Sequence, residues 1–202
     1  MRKILLLTVL LLVGFSTYAQ NITNIAYSPN VAEFVNKSGD YLIKDIYPID
    51  KSKLELKVVI LTDFETKEKI GYLDYTSENT SSNMTSALLG GVISYYTSSI
   101  DYDEIQLCID CLEYARENLL GTKPDAVISA FYYTTKGRGR FGVKWQDWDR
   151  SNGLPSSWRV FVNADPLGRV EFEKSANLSG RAADKIIEAL KTAKTLIEEK
   201  TK

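Results

Sequence analysis

Apolar residues recur at helical spacing in one central stretch of the chain, from Ile100 to Gly121. The apolar positions that share one helical face are Ile105, Cys108, Ile109, Leu112, Ala115 and Leu119. Asp101, a favoured N-cap residue, stands three positions before Glu104, and this spacing predicts a capping box. Gly121 and Pro124 supply a stop signal. The pattern therefore predicts a long helix with one buried face.

Extended segments lie on both sides of this helix. The segments that we predict as strands are 41–46, 54–62, 69–75 and 91–98 before the helix, and 126–135, 140–148, 157–164 and 169–174 after it. In the second segment Leu56, Val58 and Ile60 occupy alternate positions, as in a strand with one buried face. A second long helix is predicted at 177–200.

Three shorter features complete the pattern. Ser28 and Pro29 predict the start of a short helix that ends near Gly39 and covers a sheet. Residues 20–27 are polar, and we expect no regular structure there. The segment 77–86 is rich in Ser, Thr and Asn, which predicts a loop.

The predicted elements follow the order strand, strand, strand, strand, helix, and this order occurs twice. One amphipathic helix covers about one small antiparallel sheet. We therefore predict an α+β fold of two pseudo-repeated ββββα halves, with each antiparallel sheet covered by one long helix. One pseudo-symmetric body is favoured over tandem modules because the connection between the halves is short. The predicted divisions are a signal peptide (1–19), an N-terminal segment with a short helix (20–39), a first half (40–121) and a second half (122–202).

The first residues have the pattern of a secretory signal peptide. A basic start at Arg2 and Lys3 precedes an apolar run that is shorter than the ~20 residues of a membrane span. Thr17 to Ala19 resembles a cleavage site, so the mature chain is predicted to begin at Gln20 and to be exported to the periplasm or the cell exterior. An uncleaved anchor stays the alternative. We expect no transmembrane segment after signal cleavage.

Composition narrows the chemistry further. The formal net charge is −1 at pH 7, which disfavours a general electrostatic grip on nucleic acid or anionic lipid. The sequence contains no histidine, so the commonest metal ligand and general base are missing. Asp147 to Gly153 resembles a calcium loop but has Trp158 where a bidentate glutamate is required. We predict no cofactor, no metal site and no catalytic residue.

The two cysteines, Cys108 and Cys111, have the C-x-x-C spacing of thiol oxidoreductases and of half a zinc site. Their position inside the helix, among carboxylates, disfavours a thiolate. Residues three apart in a helix are also more widely spaced than a disulfide prefers. We interpret them as unbridged, with Cys108 in the core. A local disulfide between Cys108 and Cys111 after export, and a redox or metal role, stay open.

A run of basic residues occupies one predicted turn and the strand after it. Basic residues mixed with aromatics can bind anionic groups and stack on rings, although they also build ordinary solvated hairpins. Side chains alternate along a strand, so Arg140, Lys144 and Trp148 share one face. The candidate residues for an anionic ligand or glycan are Lys136, Arg138, Arg140, Lys144 and Trp148, with nucleic acid as the weaker alternative.

Two stretches, from Tyr96 to Ile105 (YTSSIDYDEI) and from Tyr133 to Phe141 (YTTKGRGRF), resemble a pattern in a family of exported bacterial proteins of unknown function. The resemblance implies export and carries no known activity. The repeated order of four strands and a helix also resembles, in topology alone, the Whirly and PUR-type folds that bind single-stranded nucleic acid. Likeness of fold does not carry function.

These patterns together favour an exported, non-catalytic binding or assembly module of the periplasm or cell exterior. Its expected partner is a protein or an envelope glycan. An envelope enzyme of unidentified class stays an alternative, and it predicts a deep pocket with convergent polar groups. Single-stranded nucleic-acid binding by topological analogy is the other alternative, and it predicts a steep loss of affinity with salt.

Overall fold

The structure is a computed structural model, and it describes residues 22–39, 41–49, 55–80, 93–125, 129–146, 156–164, 176–179 and 182–202. The helices in these ranges are α1 (Pro29–Ser38), α2 (Tyr102–Asn118) and α3 (Ala182–Thr201). The strands are β1 (Ile22–Ala26), β2 (Leu42–Pro48), β3 (Lys57–Asp63), β4 (Lys69–Thr80), β5 (Ile93–Asp101), β6 (Ala130–Thr134), β7 (Arg140–Gln146), β8 (Ser157–Asn163) and β9 (Ala176–Ser179). The predicted signal peptide, the predicted strand 169–174 and Trp148 lie outside the described residues.

The strands form two sheets. The first has the order β1-β5-β4-β3-β2, and the second has the order β6-β7-β8-β9. Neighbours from β2 to β5 and from β6 to β9 pair antiparallel, and a long helix follows each set along the chain. The α+β class predicted from the sequence is confirmed.

The strand β1 corrects the prediction that residues 20–27 have no regular structure. Ile22 to Ala26 pair in parallel with Ser94 to Ser98 of β5. Backbone N–H and C=O groups need partners whatever the side chains are, and β5 offers an open edge. Backbone pairing therefore outweighs the polar composition of this segment. It also makes the first sheet mixed, where a purely antiparallel sheet was predicted.

Two predicted boundaries are wrong for a related reason. The strand β4 continues to Thr80, paired with β5, whereas a loop was predicted from residue 77. Asn177 lies in β9 opposite Phe161, and α3 begins at Ala182, five residues after the predicted helix start at 177. In both places pairing with a distant strand decides the conformation, and local composition does not report that pairing.

Each long helix lies mainly against the sheet of the other half of the chain. α2 packs on β6 and β7, α3 packs on β3 and β4, and the two helices pack on each other. The approach of α3 needs a glycine, because a Cβ at Gly71 would lie 2.5 Å from Ile197 Cγ2. As a result both halves share one hydrophobic core.

The short helix α1 covers the opposite face of the first sheet. Val31 and Phe34 of α1 pack against Val59, Leu61 and Tyr72 of β3 and β4. This confirms the short helix predicted after Ser28. The first sheet is thus covered on both faces, which explains why β3 is buried at consecutive positions and not only at alternate ones.

Asp74 shares the α1 side of β4 with Tyr72, and this burial makes it a pH-sensitive position. Burial raises the pKa of Asp74 from 3.8 to about 6, although the charges of Lys44 and Lys57 act to lower it. Its Oδ1 has no hydrogen bond to any described residue. Between these two pKa values the folded protein binds more protons than the unfolded chain, so stability falls as pH rises towards 6.

We expect Asp74→Asn to raise the free energy of unfolding near pH 7 by about 2 kcal/mol, because the buried charge is removed. The variant should also lose the decline in stability between about pH 4 and pH 6. Urea unfolding across this pH range measures both effects. A variant that is less stable than the wild type near pH 7 would show that the carboxylate is favourably solvated or paired.

Candidate functional site

The turn between β6 and β7 docks on the start of α2. Ser98 Oγ donates a hydrogen bond to Gly137 O (3.1 Å), and the backbone N–H of Lys136 donates to Glu104 Oε1 (2.7 Å). Ser98 and Glu104 belong to the YTSSIDYDEI stretch, and Lys136 and Gly137 belong to the YTTKGRGRF stretch. The two stretches that carry the sequence resemblance are therefore in direct contact.

Two glycines set how closely this turn approaches. A Cβ at Gly137 would lie 2.6 Å from Ser99 O, and a Cβ at Gly139 would lie 1.3 Å from Tyr75 OH. Tyr75 is fully buried. Arg138 stands between the glycines with φ 65°, a conformation that costs a non-glycine residue roughly 1–2 kcal/mol. The docked contact holds the turn in this shape.

Glu104 is the buried acceptor at the centre of the contact. Its Oε1 accepts hydrogen bonds from Tyr133 OH (2.9 Å) and from the Lys136 N–H (2.7 Å). Burial raises the pKa of Tyr133, and the hydrogen bond to Glu104 raises it further. Glu104 Oε2 has no hydrogen bond to any described residue. The carboxylate therefore fastens β6 and the turn to α2.

Asp101 is the N-cap residue of α2, but its side chain makes no capping hydrogen bond there, so the predicted capping box is wrong. Its Oδ1 accepts a hydrogen bond from the hydroxyl of Ser28, the N-cap residue of α1. Burial raises the pKa of Asp101, while the Ser28 hydrogen bond and the Lys136 charge lower it. The carboxylate is therefore bonded to the N-cap residue of α1 and not to the start of its own helix.

Lys136 forms ion pairs with carboxylates at the start of α2. Its Nζ lies 2.7 Å from Asp103 Oδ2 and 3.9 Å from Asp101 Oδ2. The hydrogen bond to Asp103 raises the pKa of Lys136. The ammonium group thus neutralises the acidic start of α2, and the cluster of carboxylates there is explained by the docking of the turn.

The other candidate ligand-binding residues are divided between two places. Arg138 is exposed at the tip of the turn. Arg140 and Lys144 lie on the face of β7 that points away from the shared core, together with Gly142. Trp148 was predicted to share this face, and it lies outside the described residues.

We call the side of β6, β7 and β8 that points away from the shared core the outer face. Its positions are Ala130, Tyr132 and Thr134 on β6, Arg140, Gly142 and Lys144 on β7, and Arg159, Phe161 and Asn163 on β8. Lys144 lies directly opposite Arg159. The face therefore carries three cations, and these nine positions include no acidic residue. Sequence reasoning missed Arg159, although it alternates with buried Trp158 and Val160.

An aromatic pair lies among these cations. Tyr132 lies close to Gly142 on the neighbouring strand. A Cβ added at Gly142 would lie 2.5 Å from Tyr132 Cβ, so this contact needs a glycine. The Tyr132 ring meets the ring of Phe161 edge-on, with 5.9 Å between the centroids. The Arg140 guanidinium lies 5.2 Å from the centroid of the Tyr132 ring, within cation–π range. Phe161 is buried, whereas Tyr132 is 39% exposed.

The cysteines lie away from the outer face. Both are free thiols, and Cys108 is fully buried, as predicted. Burial raises the pKa of Cys108 well above its ordinary value and the pKa of Cys111 to about 11. Cys111 Sγ also contacts Phe141 O at 3.5 Å. Neither residue offers the accessible thiolate that redox chemistry requires.

A groove of about 320 Å³ lies between the end of α3 and the start of β4. Its apolar wall includes Gly71 and Ile197. Two of its polar groups are already bonded, because Lys69 Nζ donates to Lys200 O and Tyr102 OH donates to Glu198. The groove thus lacks the convergent free polar groups expected of a catalytic site.

Comparison of the chain with protein-family models, curated proteins and solved structures found no match. In the described ranges, no three or more His, Cys, Asp or Glu residues are grouped to hold a metal ion. None of the described helices has the length and apolar character needed to cross a membrane.

Proposed function

We propose that the chain is an exported, non-catalytic module that binds an anionic envelope glycan on the outer face of its second sheet. The observation that carries this proposal is the set of three cations, Arg140, Lys144 and Arg159, on one face that includes no acid at its described positions. Two of these cations were singled out from the sequence, and the strand register adds the third.

The arrangement of the cations favours an anionic ligand. Lys144 and Arg159 are directly opposed, so two cationic side chains stand side by side on this face. The Nε atoms of Arg140 and Arg159 are buried and have no hydrogen bond to described residues. Each buried N–H without a partner costs about 1–3 kcal/mol. A carboxylate or sulfate bound on this face would supply acceptors for the two guanidinium groups.

Tyr132 favours a sugar as the carrier of that anion. Its ring is partly exposed and is held in place by Gly142 and Phe161. A fixed aromatic ring presents a flat apolar surface with a polar edge, which suits the apolar side of a sugar ring. Because nucleobases stack on such rings as well, the experiment below compares the two ligands.

Two further parts of the proposal concern the whole chain. Export is supported by the signal-peptide pattern of residues 1–19. A pseudo-repeat of two ββββα halves is supported by the order of the elements, since four sequential antiparallel neighbours precede each long helix. The exchange of helices between the sheets favours one shared body over two tandem modules.

The test is isothermal titration of the mature protein with an oligomer of galacturonic acid at low and high salt. We expect saturable binding to the wild type, and a loss of roughly tenfold or more in affinity, with a shallower salt dependence, for Arg140→Gln/Arg159→Gln. The control is Lys37→Gln/Lys67→Gln, which removes the same charge from exposed positions near α1 and the β3–β4 turn. It should bind as the wild type does.

Three outcomes would overturn the proposal. The wild type could fail to bind the oligomer, or the control variant could lose as much affinity as the outer-face variant. If a single-stranded oligonucleotide bound more tightly than the oligomer through the same arginines, the ligand of the outer face would be nucleic acid and not a glycan.

A further inference from the structure

The segment from Ile22 to Ser38, which contains β1 and α1, is attached to the first sheet at its edge and on one face. We call this segment the N-terminal arm. β1 pairs with β5, and α1 packs through Val31 and Phe34 on side chains of β3 and β4. This cluster is separate from the shared core. The charged residues Glu33 and Lys37 of α1 are exposed. The arm can therefore leave the sheet while the shared core stays closed.

The connection between β1 and α1 is fixed at Ser28. The backbone N–H of Ser28 donates a hydrogen bond to Ser99 Oγ, and its hydroxyl donates to Asp101. Both acceptors belong to β5. Ser99 lies directly opposite Asp74 of β4, so the connection passes beside the buried Asp74 carboxyl group.

Two tyrosines continue this contact. The ring of Tyr27 meets the ring of Tyr72 edge-on, with 6.5 Å between the centroids. Tyr72 shares one side of β4 with Asp74. Burial raises the pKa of Tyr72, and the nearby charges of Asp74 and Tyr27 raise it further. Tyr72 is 1% exposed, and its hydroxyl has no hydrogen bond to any described residue. The arm therefore covers two buried polar groups, one on each residue.

The charged groups that face Asp74 do not neutralise it at close range. Lys57 of β3 lies directly opposite but pairs with Glu55. Lys44 stands on the same side of β2 and is exposed. On β5 the nearest carboxylate, Asp101, is bonded to the arm. The charges of both lysines lower the pKa of Asp74, yet burial raises it to about 6.

We propose that the N-terminal arm is a pH-controlled clamp, which loosens from the first sheet when Asp74 ionises and closes when Asp74 is protonated. A buried carboxylate needs water or hydrogen-bond donors, and the Oδ1 atom of Asp74 has neither among the described residues while the arm is closed. Opening of the arm hydrates the carboxylate. It also frees the edge of β5 and the apolar side of β3 and β4 that α1 covers.

The direction of the pH effect follows from the pKa of Asp74 in the two forms. With the arm closed this pKa is about 6, whereas a hydrated aspartate has the ordinary value of 3.8. The closed form thus holds the proton more tightly, so opening becomes easier as pH rises between these values and levels off above them. From about pH 5 to about pH 7 the ratio of open to closed molecules should rise roughly tenfold.

Native-state amide hydrogen exchange of the mature protein tests the proposal, with rates corrected for the intrinsic pH dependence of exchange. We expect the α1 amides of the wild type to lose protection roughly tenfold between about pH 5 and about pH 7. In Asp74→Asn their protection should be the same at both pH values. The matched control is Asp45→Asn, which removes an exposed carboxylate from β2 and should keep the wild-type pH dependence.

The β3 amides show whether the arm opens alone or with the whole fold. β3 is an interior strand of the first sheet, so its amides should stay far better protected than those of α1 at both pH values. Wild-type α1 protection that does not change with pH overturns the proposal. The same holds for an equal change in Asp74→Asn, or for β3 amides that exchange as fast as α1. No glycan is present, so the outcome is independent of the proposed function.

Discussion

Replacement of Gly139 by alanine is expected to lower the free energy of unfolding by about 3 kcal/mol or more. The added Cβ would lie 1.3 Å from Tyr75 OH. Tyr75 is fully buried and donates a hydrogen bond to Asn163 O, so it cannot move aside. The turn would have to withdraw instead, and the Lys136–Glu104 hydrogen bond would be stretched or lost. Urea unfolding followed by tryptophan fluorescence measures the effect.

The matched control is the same substitution at Gly121. A Cβ at Gly121 meets no atom within 4 Å, and surface substitutions usually change stability by less than about 0.5 kcal/mol. Equal stability of Gly139→Ala and Gly121→Ala would mean that the turn does not dock against Tyr75 as described.

The second large effect is expected at Glu104. Its replacement by alanine should cost about 3 kcal/mol, since it leaves the Tyr133 hydroxyl and the Lys136 N–H without their acceptor in a largely buried place. Glu104→Gln keeps an oxygen that can accept, so we expect it to recover at least half of the loss. Equilibrium unfolding of both variants, with far-ultraviolet circular dichroism to confirm the fold, checks this.

A glutamate elsewhere on the same helix provides the control. Glu113 forms a surface ion pair with Lys191 at 2.7 Å, and such pairs contribute about 0–1 kcal/mol. Glu113→Ala should therefore cost less than about 1 kcal/mol. If the two alanine variants lose equal stability, Glu104 acts as an ordinary helix residue and does not fasten the turn.

Much of the fold could be predicted from the sequence because its signals are local. The apolar spacing around Leu112 predicted α2, and Ser28 with Pro29 predicted α1. β1 and the exchange of the long helices could not be predicted, since both depend on contacts between distant parts of the chain. The capping box failed for the same reason. Its spacing is present, but Asp101 bonds to Ser28, the N-cap residue of a different helix.

The candidate site shows the same division. The two-residue period of a strand was enough to place Arg140 and Lys144 on one face. The period could not predict that Arg159 belongs to the same face, because Arg159 lies opposite Lys144 only through the β7–β8 register. Nor could it show that Lys136 is paired with Asp103. The stretch around Arg138 was predicted as a turn, and the sequence did not show that its glycines allow the close approach to Tyr75 and Ser99.

The central claim is that the outer face binds an anionic glycan, and chemical-shift mapping tests it most directly. Isotope-labelled mature protein is titrated with a galacturonic acid oligomer, and amide shifts are followed residue by residue. We predict saturable shifts that cluster at Tyr132, Arg140, Lys144 and Arg159 and fade as salt is added. Shifts that cluster on α3 or β2, or no shifts at any oligomer concentration, would contradict the claim.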